Sequence, residues 1–298
     1  MRPVIISSNV VGKIVAGMNM SIFKNISRIG ARLQARSFAT GEGLVDVKVN
    51  EKTGVATVSM NRPPVNSLNY DLLETLYKTF SQLETDKCRG MILTSTSSKV
   101  FSAGLDILEM YKPNMDKARA FWGMLQNVWI KLYSSPYPTS AAINGHSPAG
   151  GCLLSLCCEH RVIVPNVIIG LNETQVGISA PEWVRDSMRN VIGQRKAEHA
   201  ILTSKLFTSE EALAVGLVDE IANDKAEALE KSQMYLNSQQ TLPQLARVAT
   251  KASFRSQTLN NMLRKREEDL NSLVNQLMEP KVQEALESQI NRLKKPKK

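Results

Sequence analysis

The chain has 298 residues, of which 43% are hydrophobic and 22% charged, and a formal net charge of +9. That length supports one large domain or two small ones around a sizeable core, and no apolar run reaches the roughly twenty residues needed to span a bilayer. The positive charge would suit a nucleic-acid binder, but six of the nine excess charges, Arg2, Lys13, Lys24, Arg28, Arg32 and Arg36, fall in residues 1–41, where there is no Asp or Glu; the body is only mildly basic.

Residues 1–40 are rich in Arg, Ser, Asn and Ile and can form a basic amphipathic helix. This predicts a mitochondrial transit peptide with a processing step at Arg36-Ser-Phe38, the alternative being a basic unstructured tail. Val45–Val49 and Val55–Met60 then alternate apolar and polar residues about Asn50–Gly54, as a hairpin does. Pro63 and Pro64 block continuation, and Asn69 is placed to cap a helix with the apolar stripe Leu72, Leu73, Leu76, Tyr77, Phe80 and Leu83. Glycine at position 104 follows the apolar run Gly90–Thr94, so a buried strand empties into a turn that can present backbone N–H groups without side-chain obstruction.

Lys117–Tyr133 carries apolar residues at helical spacing. Strand, glycine turn, helix and strand follow as Thr139–Asn144, Gly150–Cys157 and His160–Val164, an alternation that predicts a βα spiral with near-parallel strands. The Gly150 N–H falls in the first turn of its helix, where donors lack intrahelical acceptors and the dipole favours negative charge. Two such N–H groups aimed at one oxygen would stabilise an enolate. Ile168–Thr174 reads as a short strand ending at an acid, Glu173. Pro181 is expected in the first turn of the next helix. Thr208-Ser-Glu-Glu211 fits a capping box, and Gly216 stops that helix before a short strand over Leu217–Ile221. From Lys225 onward the chain reads as helix broken at Pro243 and Pro280, with Leu263, Leu270, Leu273, Val274 and Leu277 as an apolar face available to another subunit. Cys88, Cys152, Cys157 and Cys158 lack metal-site spacing, and His146, His160 and His199 are scattered, so no metal is expected.

Phe101-Ser-Ala-Gly-Leu-Asp106 followed by Ile143-Asn-Gly-x-x-x-Ala-Gly-Gly-Cys152 resembles the crotonase (enoyl-CoA hydratase/isomerase) superfamily, from about Val45 into the C-terminal helices. Pro63-Pro-Val-Asn-Ser-Leu68 and Gly170-Leu-Asn-Glu-Thr-Gln-Val-Gly-Ile178 are similar to its Δ3,Δ2-enoyl-CoA isomerase branch. The resemblance implies an α/β fold, with a crotonase-like ββα spiral core over residues 41–240 and a C-terminal helical trimerisation region over residues 241–298. It implies an isomerase of the mitochondrial matrix that moves a 3-cis or 3-trans double bond of a fatty enoyl-CoA to the 2-trans position in β-oxidation. Coenzyme A would be part of the substrate, with no redox cofactor and no nucleic-acid partner, and the protein would be a homotrimer. Glu173 would be the acid/base, and the backbone N–H groups of Leu105 and Gly150 the oxyanion donors. Ala103, Gly104, Leu105, Asp106, Ile107 and Gly150 would bind the substrate. Hydratases of the superfamily carry a glutamate directly after Gly-Gly-Cys, and Leu153 stands there in this chain; leucine cannot hold a water, so hydration is expected to be absent or weak. Asp106 and Glu109 are the nearest alternative acids, Asp106 as an orienter of its turn and Glu109 with no assigned task. Open alternatives are a hydrolase or decarboxylase using the same oxyanion donors, or a noncatalytic RNA-binding or scaffold protein on the same fold.

Overall fold

A computed structural model describes residues 38–39 and 43–294; except for Phe38 and Ala39, the expected transit peptide and its processing step lie outside the described residues. The strands are β1 (Phe38–Ala39), β2 (Val45–Val49), β3 (Val55–Met60), β4 (Gly90–Ser95), β5 (Thr139–Ile143), β6 (Ser147–Pro148), β7 (His160–Ile163), β8 (Ile168–Gly170), β9 (Phe207–Thr208) and β10 (Glu220–Ile221). Seven form one sheet in the order β1-β2-β3-β4-β5-β7-β10, and β6-β8-β9 form a second. The hairpin expected at Val45–Met60 is present, pairing Val45 with Met60 and Val49 with Ala56. From β3 onward every step in the large sheet is parallel. All six residues of β4 are buried, as expected of a parallel strand covered on both faces.

The helices are α1 (Tyr70–Thr85), α2 (Met115–Tyr133), α3 (Gly150–Cys157), α4 (Glu182–Ile192), α5 (Gln194–Leu202), α6 (Ser209–Val215), α7 (Lys225–Gln239), α8 (Gln244–Arg264), α9 (Arg266–Met278) and α10 (Pro280–Lys294). Helices α1, α2 and α3 span the successive parallel steps of the sheet, so each strand's C-terminal end opens into a segment available for the site. Local chemistry sets the helix ends. Asn69 accepts from the Leu72 N–H at 3.1 Å, Thr208 and Glu211 form the reciprocal capping box, and Gly216 closes α6 in the left-handed region at φ 81°.

Several expectations need correction: the strand expected over Ile168–Thr174 ends at Gly170, and Glu173 opens a 3₁₀ turn instead. Pro181 is the N-cap of α4, extended at ψ 164°, rather than a residue of its first turn. The strand expected over Leu217–Ile221 shrinks to Glu220–Ile221, because Leu217 and Val218 are still bonded back to Ala212 at the end of α6. The C-terminal stripe mostly covers its own chain: Leu270, Leu273 and Leu277 are buried and Val274 packs on the core, while Leu263 is exposed. A polar pin holds α9 there, since Asp269 Oδ2 accepts from the indole N–H groups of Trp122 at 2.8 Å and Trp183 at 3.1 Å and from Gln126 Nε2 at 2.7 Å. A further break in the helical run, at Lys265, separates α8 from α9.

Candidate active site

The turn after β4 and the start of α3 touch at Gly104. Its φ is +88°, and a Cβ there would stand 2.8 Å from Ala149 Cβ and 3.1 Å from Gly150 N, so both the conformation and the space require glycine. A Cβ on Gly151 would meet the Ser102 carbonyl oxygen at 2.6 Å. This close approach puts a carbon built on Gly150 only 3.4 Å from Leu105 N. Leu105 lies in a parallel bridge with Leu68, and the flanking groups make its bonds: Leu68 N–H donates to Gly104 C=O at 2.8 Å and Asp106 N–H to Leu68 C=O at 3.0 Å. The Leu105 N–H takes no part in that bridge. Gly150, as the first residue of α3, has no intrahelical acceptor. Among the described residues, neither N–H finds a partner, so two adjacent amides are left to bind a ligand oxygen.

Side chains to which the sequence alone assigns no role hold this pair in place. Asn66, buried and at φ 49°, accepts from Arg62 N–H at 2.7 Å and donates to Ser95 Oγ at 2.6 Å and Phe101 C=O at 3.1 Å. Ser102 Oγ donates to Asn66 C=O at 2.7 Å and accepts from Gly104 N–H at 3.2 Å. Asn66 and Ser102 both lie inside the motifs that carry the family resemblance, but nothing in those motifs singles out their side chains. Asp106 does orient its turn: Oδ2 accepts from Ser67 Oγ at 3.2 Å and pairs with Arg62 at 3.0 Å, and Oδ1 accepts from Leu108 N–H at 3.1 Å. Glu109 gains a task, because its Oε1 accepts from the Tyr70 N–H at 3.0 Å and so satisfies an open donor at the start of α1. Ala103 is exposed and Ile107 half-buried beside the two amides.

The small sheet ties the start of α3 to the segment that carries Glu173. Strand β6 pairs with β8, Pro148 opposite Gly170, and the Ala149 N–H donates to Gly170 C=O at 2.7 Å. That bond holds Ala149 at φ 48°, a strained value for alanine, and places the start of α3 three residues ahead of Glu173. The acid opens the 3₁₀ turn Glu173–Val176, which Gly177 ends at φ 77°. Its Oε2 is buried without a hydrogen-bond partner among the described residues. Burial pushes the carboxyl up to about 7, against an opposing contribution from a backbone hydrogen bond. The Cys152 thiol on α3 is pushed well above its usual range, first by burial and then by the Glu173 charge, so the carboxylate is within electrostatic reach of the amide-bearing helix. Leu153, on the same helix, is buried.

The structure therefore sets the Leu105 and Gly150 amides side by side, puts Glu173 within electrostatic reach of the helix that Gly150 opens, and turns Asp106 toward Arg62 and Ser67. A cavity of about 240 Å³ lies between residues 179–185 and the junction of α8 with α9. Trp122, Trp183, Met262 and Leu273 are among its walls, while Glu173 and the two amide residues are not. Among the described residues no cluster of His, Cys, Asp or Glu could hold a metal ion, and no helix is long and apolar enough to cross a membrane. The arrangement suits proton transfer next to a carbonyl whose oxygen gathers negative charge.

Comparison with known proteins agrees with this chemistry. The family profile described as Enoyl-CoA hydratase/isomerase matches residues 50–297. The mouse protein Enoyl-CoA delta isomerase 1, mitochondrial, is 39% identical over 277 residues, covering 91% of this chain and 95% of the mouse protein. The crystal structure of human mitochondrial delta3-delta2-enoyl-CoA isomerase superposes with a TM-score of 0.82 at 38% identity, covering 84% of this chain and 98% of that one. An enoyl-CoA hydratase from Bacillus halodurans shares the fold, with a TM-score of 0.75 at 24% identity over 82% of this chain and 99% of that one.

Proposed function

This chain is a member of the enoyl-CoA hydratase/isomerase family, and from that premise we propose that it is an isomerase of fatty-acid β-oxidation, shifting the 3,4 double bond of an enoyl-CoA to the 2,3 position. The observation that carries the reading is the Glu173 Oε2, buried without a hydrogen-bond partner among the described residues and within electrostatic reach of the helix that Gly150 opens, together with the two unengaged backbone amides. Ionised Glu173 takes a proton from the α carbon. The released electron pair moves into a dienolate whose charge collects on the thioester oxygen, and the N–H groups of Leu105 and Gly150 bind that oxygen. Removing one such donor typically costs about 3 to 4 kcal/mol of barrier. The protonated carboxyl then returns its proton to the γ carbon, leaving the conjugated 2-enoyl thioester. One group can serve both carbons because the planar allylic system presents them on one face.

The second carboxylate that hydration uses has no counterpart at Leu153, which supports isomerisation over hydration. Coenzyme A enters and leaves as part of the substrate, with Ala103, Gly104, Asp106 and Ile107 forming the wall beside the thioester. The protein works in the mitochondrial matrix, with residues 1–40 as the import segment; the acid-free, Arg-bearing composition of that segment and the mitochondrial relatives support this. It assembles as a homotrimer. Because α9 packs on its own chain, the subunit contact falls to α8, where Leu245 and Leu263 stay exposed. They are eighteen residues apart, five full turns, and so share one side of the helix.

The test is conversion of a 3-enoyl-CoA to the conjugated product, followed by the new thioester absorbance. The Glu173→Gln variant is expected to lose at least about a thousandfold in kcat while still binding acyl-CoA. Wild-type turnover by that variant would remove Glu173 from its role, and release of free CoA or carbon dioxide by the native chain would replace isomerisation with hydrolysis or decarboxylation.

A further inference from the structure

Helices α9 and α10 meet at Glu279, and from the two sides of that junction they reach both walls of the site. On the wall that carries Leu105, Gln283 grips the chain twice: its Oε1 accepts from the Lys112 N–H at 2.7 Å, and its Nε2 donates to Met110 C=O at 3.0 Å. Between those two residues, Tyr111 donates its hydroxyl to Glu287 at 2.7 Å. On the wall that carries Glu173, Gln276 Oε1 accepts from the Ser179 N–H at 2.7 Å. Val282, itself buried, places its Cγ2 3.7 Å from the Cβ position of Gly177, the residue that ends the Glu173 turn. Gln283 Nε2 also donates to Leu277 C=O at 2.8 Å, which ties α10 to the end of α9.

The two walls are intrinsically weak. Each is a short 3₁₀ turn, Ile107–Glu109 and Glu173–Val176, a structure with poor internal hydrogen bonding. A proton shuttle between two carbons depends on their placement, since a displacement of about 1 Å can cost about a hundredfold in rate. We propose that Gln283 is a positioning residue for the isomerisation, fastening the last helix to the oxyanion-side wall so that the thioester grip and the Glu173 carboxylate keep one fixed separation. The inference rests on the function proposed above.

The same clamp keeps the acid dry. The groups facing Glu173 are few. Cys152 on α3 is the titratable neighbour in electrostatic contact. On α10 the charged residues Lys281, Glu284, Glu287 and Arg292 are exposed, and so are Arg195, Lys196, Glu198 and His199 on α5, the other helix packed on the turn. Burial is the leading cause of the raised carboxyl, so loosening α10 lets water in and lowers it. The rate then rises toward its plateau at lower pH.

Gln283→Met keeps the bulk and removes every bond the amide makes. We expect kcat to fall roughly tenfold with KM within about twofold, and the midpoint of the acidic limb of the kcat–pH profile to move to lower pH than in the native protein. A role in stability alone would lower the melting temperature and leave kcat and that midpoint unchanged well below melting; this result in a folded variant overturns the proposal. If Gln283→Met does not fold, Gln276→Met, which removes one bond on the opposite wall, takes the same measurement, and native kcat and midpoint there overturn it as well. Native turnover together with an inactive Glu173→Gln control keeps the two readings separable: the isomerase assignment stands or falls on those, and the clamp on the Gln283 and Gln276 variants.

Discussion

A carboxyl that titrates near 7 in the folded chain and at 4.5 when unhindered binds its proton more tightly when the protein is folded. Between those two values the unfolded chain gives up its proton first, so rising pH favours unfolding across the window and has no further effect above it. The full difference amounts to about 3 kcal/mol. Glutamine has the same shape without the charge, so Glu173→Gln is expected to raise unfolding stability by up to about 3 kcal/mol at pH 8 and by less than about 1 kcal/mol at pH 5, measured by denaturant titration. A gain that does not depend on pH would mean the carboxyl is not desolvated. The residue proposed as the base thus opposes folding at neutral and higher pH, a common trade at catalytic positions. This carboxyl was legible in the sequence only through the residues around it. Nothing in its own spacing separates a buried base from an acid that merely starts a helical turn; the helices packed on that turn come from later in the chain, α10 more than a hundred residues on.

At the scale of elements, the two glycine segments act through backbone rather than side chain, and their variants should divide accordingly. Leu105→Ala leaves the N–H where it is, so kcat is expected to stay within about threefold while some packing stability is lost, roughly 2 to 3 kcal/mol for a half-buried leucine. Gly104→Ala forces a Cβ into contact with Ala149 and a side chain into positive φ, displacing both donors at once. Its kcat is expected to fall at least about a hundredfold in a protein that still folds. Paired steady-state kinetics and melting curves check the contrast, and equal losses of activity in the two variants would refute it. Caps and stops at this scale were plain from local residues: Asn69, the Thr208–Glu211 box and Gly216 each act within one turn of chain. Asn66, Ser102 and Glu109 were not, because each bonds to backbone brought close only by the fold, such as Glu109 reaching Tyr70.

For the whole molecule, the C-terminal helices have two sides with different tasks. Their inner side packs on the same chain, through Asp269 on the two indoles and Gln283 on the Met110 segment. The outer side of α8 leaves Leu245 and Leu263 in solvent. If that side joins subunits, the native protein sediments as a trimer, and Leu245→Glu with Leu263→Glu, burying two unpaired charges at the contact, shifts it to monomer at micromolar concentration; a trimer unchanged by both substitutions places the contact elsewhere. Periodicity, capping and φ preference act over a few residues, so the main strands and helices, the glycine turns and the family motifs can be read from the chain alone. That the two free amides lie side by side, that Glu173 Oε2 is buried and that the C-terminal stripe folds inward emerge only in three dimensions. Each of those depends on contacts between distant segments, and a leucine stripe reads the same whether its own core or a neighbour covers it.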